Sequence, residues 1–144
     1  MKVFISHAHE ERRLAEAWKT LLMQITGFTI DVWYSSDRDP SGGIGYGRWR
    51  ERIGHRLEEA EAILAIFTPE SASRPWIFFE TAFAMGLSTK KLVIPIVYYM
   101  SKEYLPSPLQ DQQSYRGDEQ DEVFDLCKRL HSIHIERTIS QTWI

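Results

Sequence analysis

The sequence predicts an α/β domain: a doubly wound parallel sheet of strand order 2-1-3-4-5 with helices on both faces. Short apolar, β-rich runs alternate along the chain with segments of helical periodicity. That alternation marks parallel strands joined by crossover helices. Two of the runs, A-I-L-A-I-F-T and L-V-I-P-I-V, lack an alternating polar face, as expected of strands covered on both sides. Right-handed crossovers between such strands lead to the doubly wound order, with ligands expected outside the carboxyl ends, between strands one and three.

Residues 2–6 (K-V-F-I-S) read as the first strand. Glu10 and Glu11 place negative charge at the start of a helix, where the dipole favours it. Leu14, Trp18, Leu21, Leu22 and Ile25 form its apolar stripe, and Gly27 ends it. Residues 28–34 (F-T-I-D-V-W-Y) alternate as a second strand, with Phe28, Ile30, Val32 and Tyr34 on one face. A Gly-rich polar loop spans 35–47. A second helix follows, with Trp49, Ile53, Leu57 and Ala60 facing inward. Residues 62–68 form a third strand, 76–87 a helix and 92–97 a fourth strand. Pro106 and Pro108 mark a loop, and 112–116 an edge strand. Residues 118–133 carry Val123, Leu126, Leu130 and Ile133 at helical spacing, and nothing regular is read after His134. The domain is expected to span 1–134, with 135–144 a tail or the start of a linker.

A chain of 144 residues fits one domain with a single good core. A net charge of -3 leaves no basic footprint, so a nucleic-acid partner is not expected. One cysteine, Cys127, rules out an internal disulfide and suits a reducing compartment. No apolar run approaches about 20 residues, and no cationic leader precedes the first strand, so a cytoplasmic protein without a membrane partner is expected.

The chain is organised around residues 68–86, T-P-E-S-A-S-R-P-W-I-F-F-E-T-A-F-A-M-G. Glu80 is the only charge between Pro75 and Thr89, on a helix face with Trp76, Phe83 and Leu87. A carboxylate among aromatics is costly to desolvate unless something pairs with it. It is either a structural acid bonded elsewhere in the fold or a ligand-binding one. Its place beside the third strand's carboxyl end, where the loops 6–9, 35–47 and 69–75 meet, favours the ligand.

Other constellations carry less. His7-Ala8-His9 has metal-pair spacing, but His55, His131 and His134 bring no acidic cluster, and the chain is far below the ~250 residues of a barrel metallohydrolase. No metal is expected. Residues 42–49 (G-G-I-G-Y-G-R-W) nearly spell a phosphate loop, yet Arg48 and Trp49 stand where Lys and Ser/Thr belong. A loop whose glycines supply unusual dihedrals is the preferred reading. The third strand ends Phe67-Thr68-Pro69, without the aspartate of a phosphoacceptor. Cys127 lies between Leu126 and Lys128 with no paired base.

Taken together, V-F-I-S-H-A-H-E-E, V-W-Y-S-S-D with its Gly-rich loop, and I-L-A-I-F-T-P-E-S leading into S-R-P-W-I-F-F-E resemble a bacterial Toll/interleukin-1 receptor (TIR) domain over about residues 2–133. Trp76 and Glu80 keep the spacing of the family's Ser-x-Trp-Cys-x-x-Glu signature. Ile77 replaces its cysteine, and Ser73 sits one residue farther back than its serine. The resemblance implies a flavodoxin-like TIR fold. For Glu80 it implies the reactive acid of an NAD+ glycohydrolase, with NAD+ as substrate and no cofactor. Ser6, His7, Trp33, Ser36, Trp76 and Phe79 are then candidate substrate contacts. It implies self-association with other TIR domains, with Asp37, Gly42, Gly43 and Gly45 in the assembly loop, and a sensor or effector region beyond this chain.

The chemistry stands on its own. Glycosidases normally need two carboxylates because a sugar leaving group must be protonated. Nicotinamide in NAD+ is already cationic and departs neutral, so one carboxylate that stabilises an oxocarbenium-like transition state suffices. The rival is a non-catalytic TIR module that assembles signalling scaffolds through 35–47. A third reading, a nucleoside-processing transferase on a similar sheet, is distinguished by acting on free nucleosides.

Overall fold

The computed structural model describes residues 1–34, 46–73, 81–83, 85–86 and 91–142, with the side chains of 46–52 and 108 outside that description. Among the described residues five parallel strands form one sheet: β1 (Lys2–Ser6), β2 (Asp31–Tyr34), β3 (Ala62–Phe67), β4 (Leu92–Val97) and β5 (Tyr115–Arg116). Their spatial order is β2-β1-β3-β4-β5, as the sequence predicts. Ser6 lies in register with Ala65, Ile5 with Tyr34 and Ile94 with Leu64. Pro95 has no N–H to give, and it lies in the part of β4 that β5 does not reach.

The helices are α1 (Arg12–Ile25), α2 (Tyr46–Glu59), α3 (Ser107–Gln110) and α4 (Gln120–Thr142), and residues 81–83 and 85–86 are also helical. One sheet face sends Val3, Ile5, Val32, Tyr34, Leu64, Ile66, Ile94 and Ile96 against Ala15, Trp18 and Leu22 of α1 and Leu126, Cys127 and Leu130 of α4. Across this core Trp18 donates its indole N–H to the Tyr98 hydroxyl at 2.8 Å. On the other face, Phe4 and Ile63 pack with Ile53 and Leu57 of α2. Nearby, Ala65, Phe67, Val93 and Val97 pack with Leu105 and with Leu109 of α3. Every residue of β3 is buried, so the central strand reads as one apolar run. Lys91 closes α2 by donating to the carbonyls of Leu57, Glu58 and Ala60, which the helix leaves unpaired.

Two expectations are corrected. Phe28 does not join the inward face of β2: Gly27 (φ 61°) and Phe28 (φ 64°) both take left-handed backbone to end α1, and Phe28 is 70% exposed. Its N–H closes onto the Met23 carbonyl at 2.7 Å, which satisfies the helix end and rotates the side chain outward. The region of Pro106 and Pro108 is not all loop. Pro106 precedes the short helix α3, where prolines are tolerated because first-turn N–H groups lack partners anyway. After His134, where the sequence carries no assignment, α4 continues to Thr142. His134 is buried against the Thr29 hydroxyl at 2.9 Å, and Arg137 pairs with Glu61, so tertiary contacts carry the helix past its apolar stripe. Among the described residues no helix is long and apolar enough to cross a membrane.

Candidate functional site at the carboxyl edge of the sheet

The first loop leaves β1 at Ser6, which is fully buried, and His7, which is 2% exposed. The His7 Nδ1–H donates to the Ala8 carbonyl at 2.6 Å, since a carbonyl can only accept. The ring lies 5.8 Å from that of Tyr34. Burial holds its pKa below the ordinary imidazole value, with His9 and Arg12 adding to the effect and the Ala8 bond opposing it. The bond to Ala8 places the ring proton on Nδ1, and burial disfavours the charged form of His7. His9 is exposed, and among the described residues no three His, Cys, Asp or Glu side chains converge as a metal site.

The second loop leaves β3 at Thr68. Its N–H donates to the Ser71 hydroxyl at 2.8 Å, and its carbonyl accepts the N–H groups of Ser71 and Ala72 at 3.2 and 3.0 Å. Its own hydroxyl donates to Oε1 of Glu11 at 2.6 Å. The sequence places Glu11 where its negative charge favours the helix dipole. It is buried, and burial pushes its carboxyl above the usual range while the hydroxyls of Ser71 and Thr68 pull it back.

A third loop, after β4, was not among the predicted site segments. Tyr99, Met100 and Tyr104 join Pro69, Ala72 and Ser73 around a cavity of about 470 Å³ beyond the ends of β3 and β4. Tyr99 and Tyr104 are 78% and 74% exposed. Tyr99 holds a left-handed φ of 55°, pinned by its N–H bond to Asp118 at 3.1 Å. The signal for this loop was the Tyr-Tyr pair after the fourth strand, which alone does not distinguish a binding aromatic from a buried one.

Of the predicted contacts, the structure brings Ser6 and His7 to this edge. Trp33 lies on the α2 side of the sheet, its ring 5.0 Å from Phe4 and covered by the Arg56 guanidinium at 5.5 Å. The crevice beside it measures about 10 Å³, whereas His7 packs against Tyr34, which faces α1 on the opposite side of the sheet. Ser36, Asp37, Gly42, Gly43, Gly45, Trp76, Phe79 and Glu80 lie outside the described residues. Cys127 is buried in the core, and burial pushes its thiol up, opposite to an activated nucleophile.

Comparisons with known proteins agree with this architecture. The TIR domain of the Toll-related receptor TRR-2 from Hydra magnipapillata superposes with a TM-score of 0.63 at 17% identity, over 96% of this chain and 97% of that one. A 2-deoxyribosyltransferase from Bacillus psychrosaccharolyticus gives 0.62 at 12% identity, over 85% and 90%. The TIR domains of the activated Roq1 resistosome give 0.52 at 15% identity, over 92% and 82%. At such identities these likenesses show the fold alone. Among curated proteins no sequence matches significantly. The family model described as TIR domain matches residues 3–131, a span that takes in all five strands but for Lys2, and the chain belongs to the TIR domain family.

Proposed function

We propose that this TIR domain cleaves NAD+ at the nicotinamide–ribose bond, with Glu80 as the reactive acid and a linear or cyclic ADP-ribose product. The observation that carries the reading is the Trp76-to-Glu80 spacing in a chain that belongs to the TIR family. It is supported by the polar groups at the carboxyl ends of β1 and β3, because Ser6, His7 and the Thr68 turn border the segment from which the chain runs on to Glu80. The oxocarbenium-like transition state needs one negative group near the ribose and no general acid, as nicotinamide leaves neutral. Self-association with other TIR domains and a role in cytoplasmic bacterial defence or stress signalling belong to the same proposal, NAD+ loss or the nucleotide product being the output.

The likeness to a deoxyribosyltransferase adds a check, because a nucleoside-processing chain would act on free nucleosides. The test is incubation of the protein at high concentration with NAD+, and separately with free nucleosides, with products resolved by chromatography. Nicotinamide release from NAD+ alone is expected. A folded protein that releases none at any concentration refutes the proposal and leaves the scaffold module as the reading.

A further inference from the structure

Glu11 stands at the N-cap of α1, yet its carboxyl does not cap that helix. It reaches across the sheet edge to the loop after β3 instead. It is 6% exposed, Oε1 takes the Thr68 hydroxyl at 2.6 Å, and Oε2 finds no hydrogen-bond partner among the described residues. A half-satisfied buried carboxyl costs free energy that a solvated acid at a helix start does not. What this placement achieves is geometric. The Glu11 N–H and the His7 Nδ1–H share the Ala8 carbonyl, at 2.9 and 2.6 Å, so Glu11 is part of the turn that holds His7. At its other end it grips Thr68, whose N–H and carbonyl organise Ser71 and Ala72. Ser71 is itself 2% exposed. One residue thus links the carboxyl ends of two neighbouring strands, β1 through its main-chain N–H and β3 through its carboxyl.

We propose that Glu11 is a positioning residue of the NAD+-cleaving site: through Thr68 it holds residues 68–72, the root of the segment carrying Trp76 and Glu80, against the loop of Ser6 and His7. This rests on the NAD+-cleavage reading. Sub-ångström placement of a reacting group governs the chemical step more than ground-state binding. Losing the brace therefore lowers kcat rather than raising KM. Glutamine keeps an acceptor for the Thr68 hydroxyl, whereas alanine does not.

The experiment compares the full chain with Glu11→Ala, Glu11→Gln, Thr68→Val and the Glu11→Ala/Thr68→Val double variant. It measures NAD+ cleavage and the hydrogen exchange of the Ser71 and Ala72 amides. Glu11→Ala is expected to lower kcat about 10-fold or more with KM within about threefold. Glu11→Gln should retain most of the rate, Thr68→Val should fall as far as Glu11→Ala, and the double variant should fall no further. The two amides should exchange faster in Glu11→Ala and near the wild-type rate in Glu11→Gln. If Glu11→Ala does not fold, Thr68→Val breaks the same bond from the other side. Wild-type kcat in a folded Glu11→Ala or Thr68→Val, or a Glu11→Gln as slow as Glu11→Ala, overturns the proposal. If the wild-type chain cleaves no NAD+, the functional reading fails and the catalytic part of the proposal with it, while the exchange rates still decide whether Glu11 holds the loop.

Discussion

Gly117→Ala tests how the loop after β5 is fitted to the core. A Cβ at residue 117 would lie 2.5 Å from Oη and Cε2 of Tyr98, and closer still to Cζ. The backbone has little freedom to retreat, because the Gly117 N–H is bonded to the Val97 carbonyl at 2.8 Å and Asp118 next to it ties to Arg116 and the Tyr99 N–H. The Tyr98 ring must therefore move. It is 8% exposed, packed in the main core, and its hydroxyl receives the buried Trp18 N–H. Forcing the ring aside adds an overpacking cost of about 1–3 kcal/mol. Orphaning the indole N–H adds a further ~1–3 kcal/mol. A loss of about 2–6 kcal/mol in unfolding free energy is expected, measured by denaturant titration and by a fall of about 2–4 °C in Tm for each kcal/mol. The same substitution in a Tyr98→Leu background, where the ring is gone, should cost less than ~1 kcal/mol, a coupling expected of contacting sites. A loss below ~0.5 kcal/mol in the wild-type background, or equal losses in both, would refute the fit of Gly117 to Tyr98.

Further outcomes are expected. Glu80→Gln should lower NAD+ cleavage by ~100-fold or more, the scale of losing a key electrostatic group. Its thermal melt should hold or rise, and full cleavage by the folded variant would remove Glu80 from the mechanism. Specific activity should climb with protein concentration if a neighbouring copy completes the site, and a flat profile across serial dilution counts against assembly. Burial raises the Glu11 pKa above the ordinary value of 4.5, so its ionised form opposes folding above the folded pKa. As pH falls toward 4.5 the wild type should gain stability relative to Glu11→Gln, and pH-independent parallel curves would contradict this. His7 has the opposite sense. Its folded pKa lies below 6.5, so stability should fall as pH drops through 6.5, more steeply in wild type than in His7→Asn; denaturation series across that range give the slopes.

The strands and their order were legible because burial on both faces leaves a local trace: apolar runs such as A-I-L-A-I-F and L-V-I-P-I-V need no distant partner to be recognised. Turn chemistry was less legible. Alternation assigned Phe28 to the strand face, and only the paired left-handed residues at the end of α1 turn it to solvent. The length of α4 escaped because its last turns are held by Thr29 and Glu61, contacts far off in sequence, while the apolar stripe stops earlier.

For the site, sequence alone determined the Trp76–Glu80 spacing and the identity of two of the loops, those after the first and third strands, because motif spacing and strand ends are local properties. The tertiary structure decided what those loops touch. It turned Glu11 from a helix-start acid into a buried brace on Thr68, put Trp33 under Arg56 away from His7, and brought Tyr99 and Tyr104 around the cavity after Ser73. A helix-start carboxylate looks the same in sequence whether it meets water or a threonine from another strand. Which one it meets is set by strand register, a relation between distant residues that no stretch of chain carries by itself.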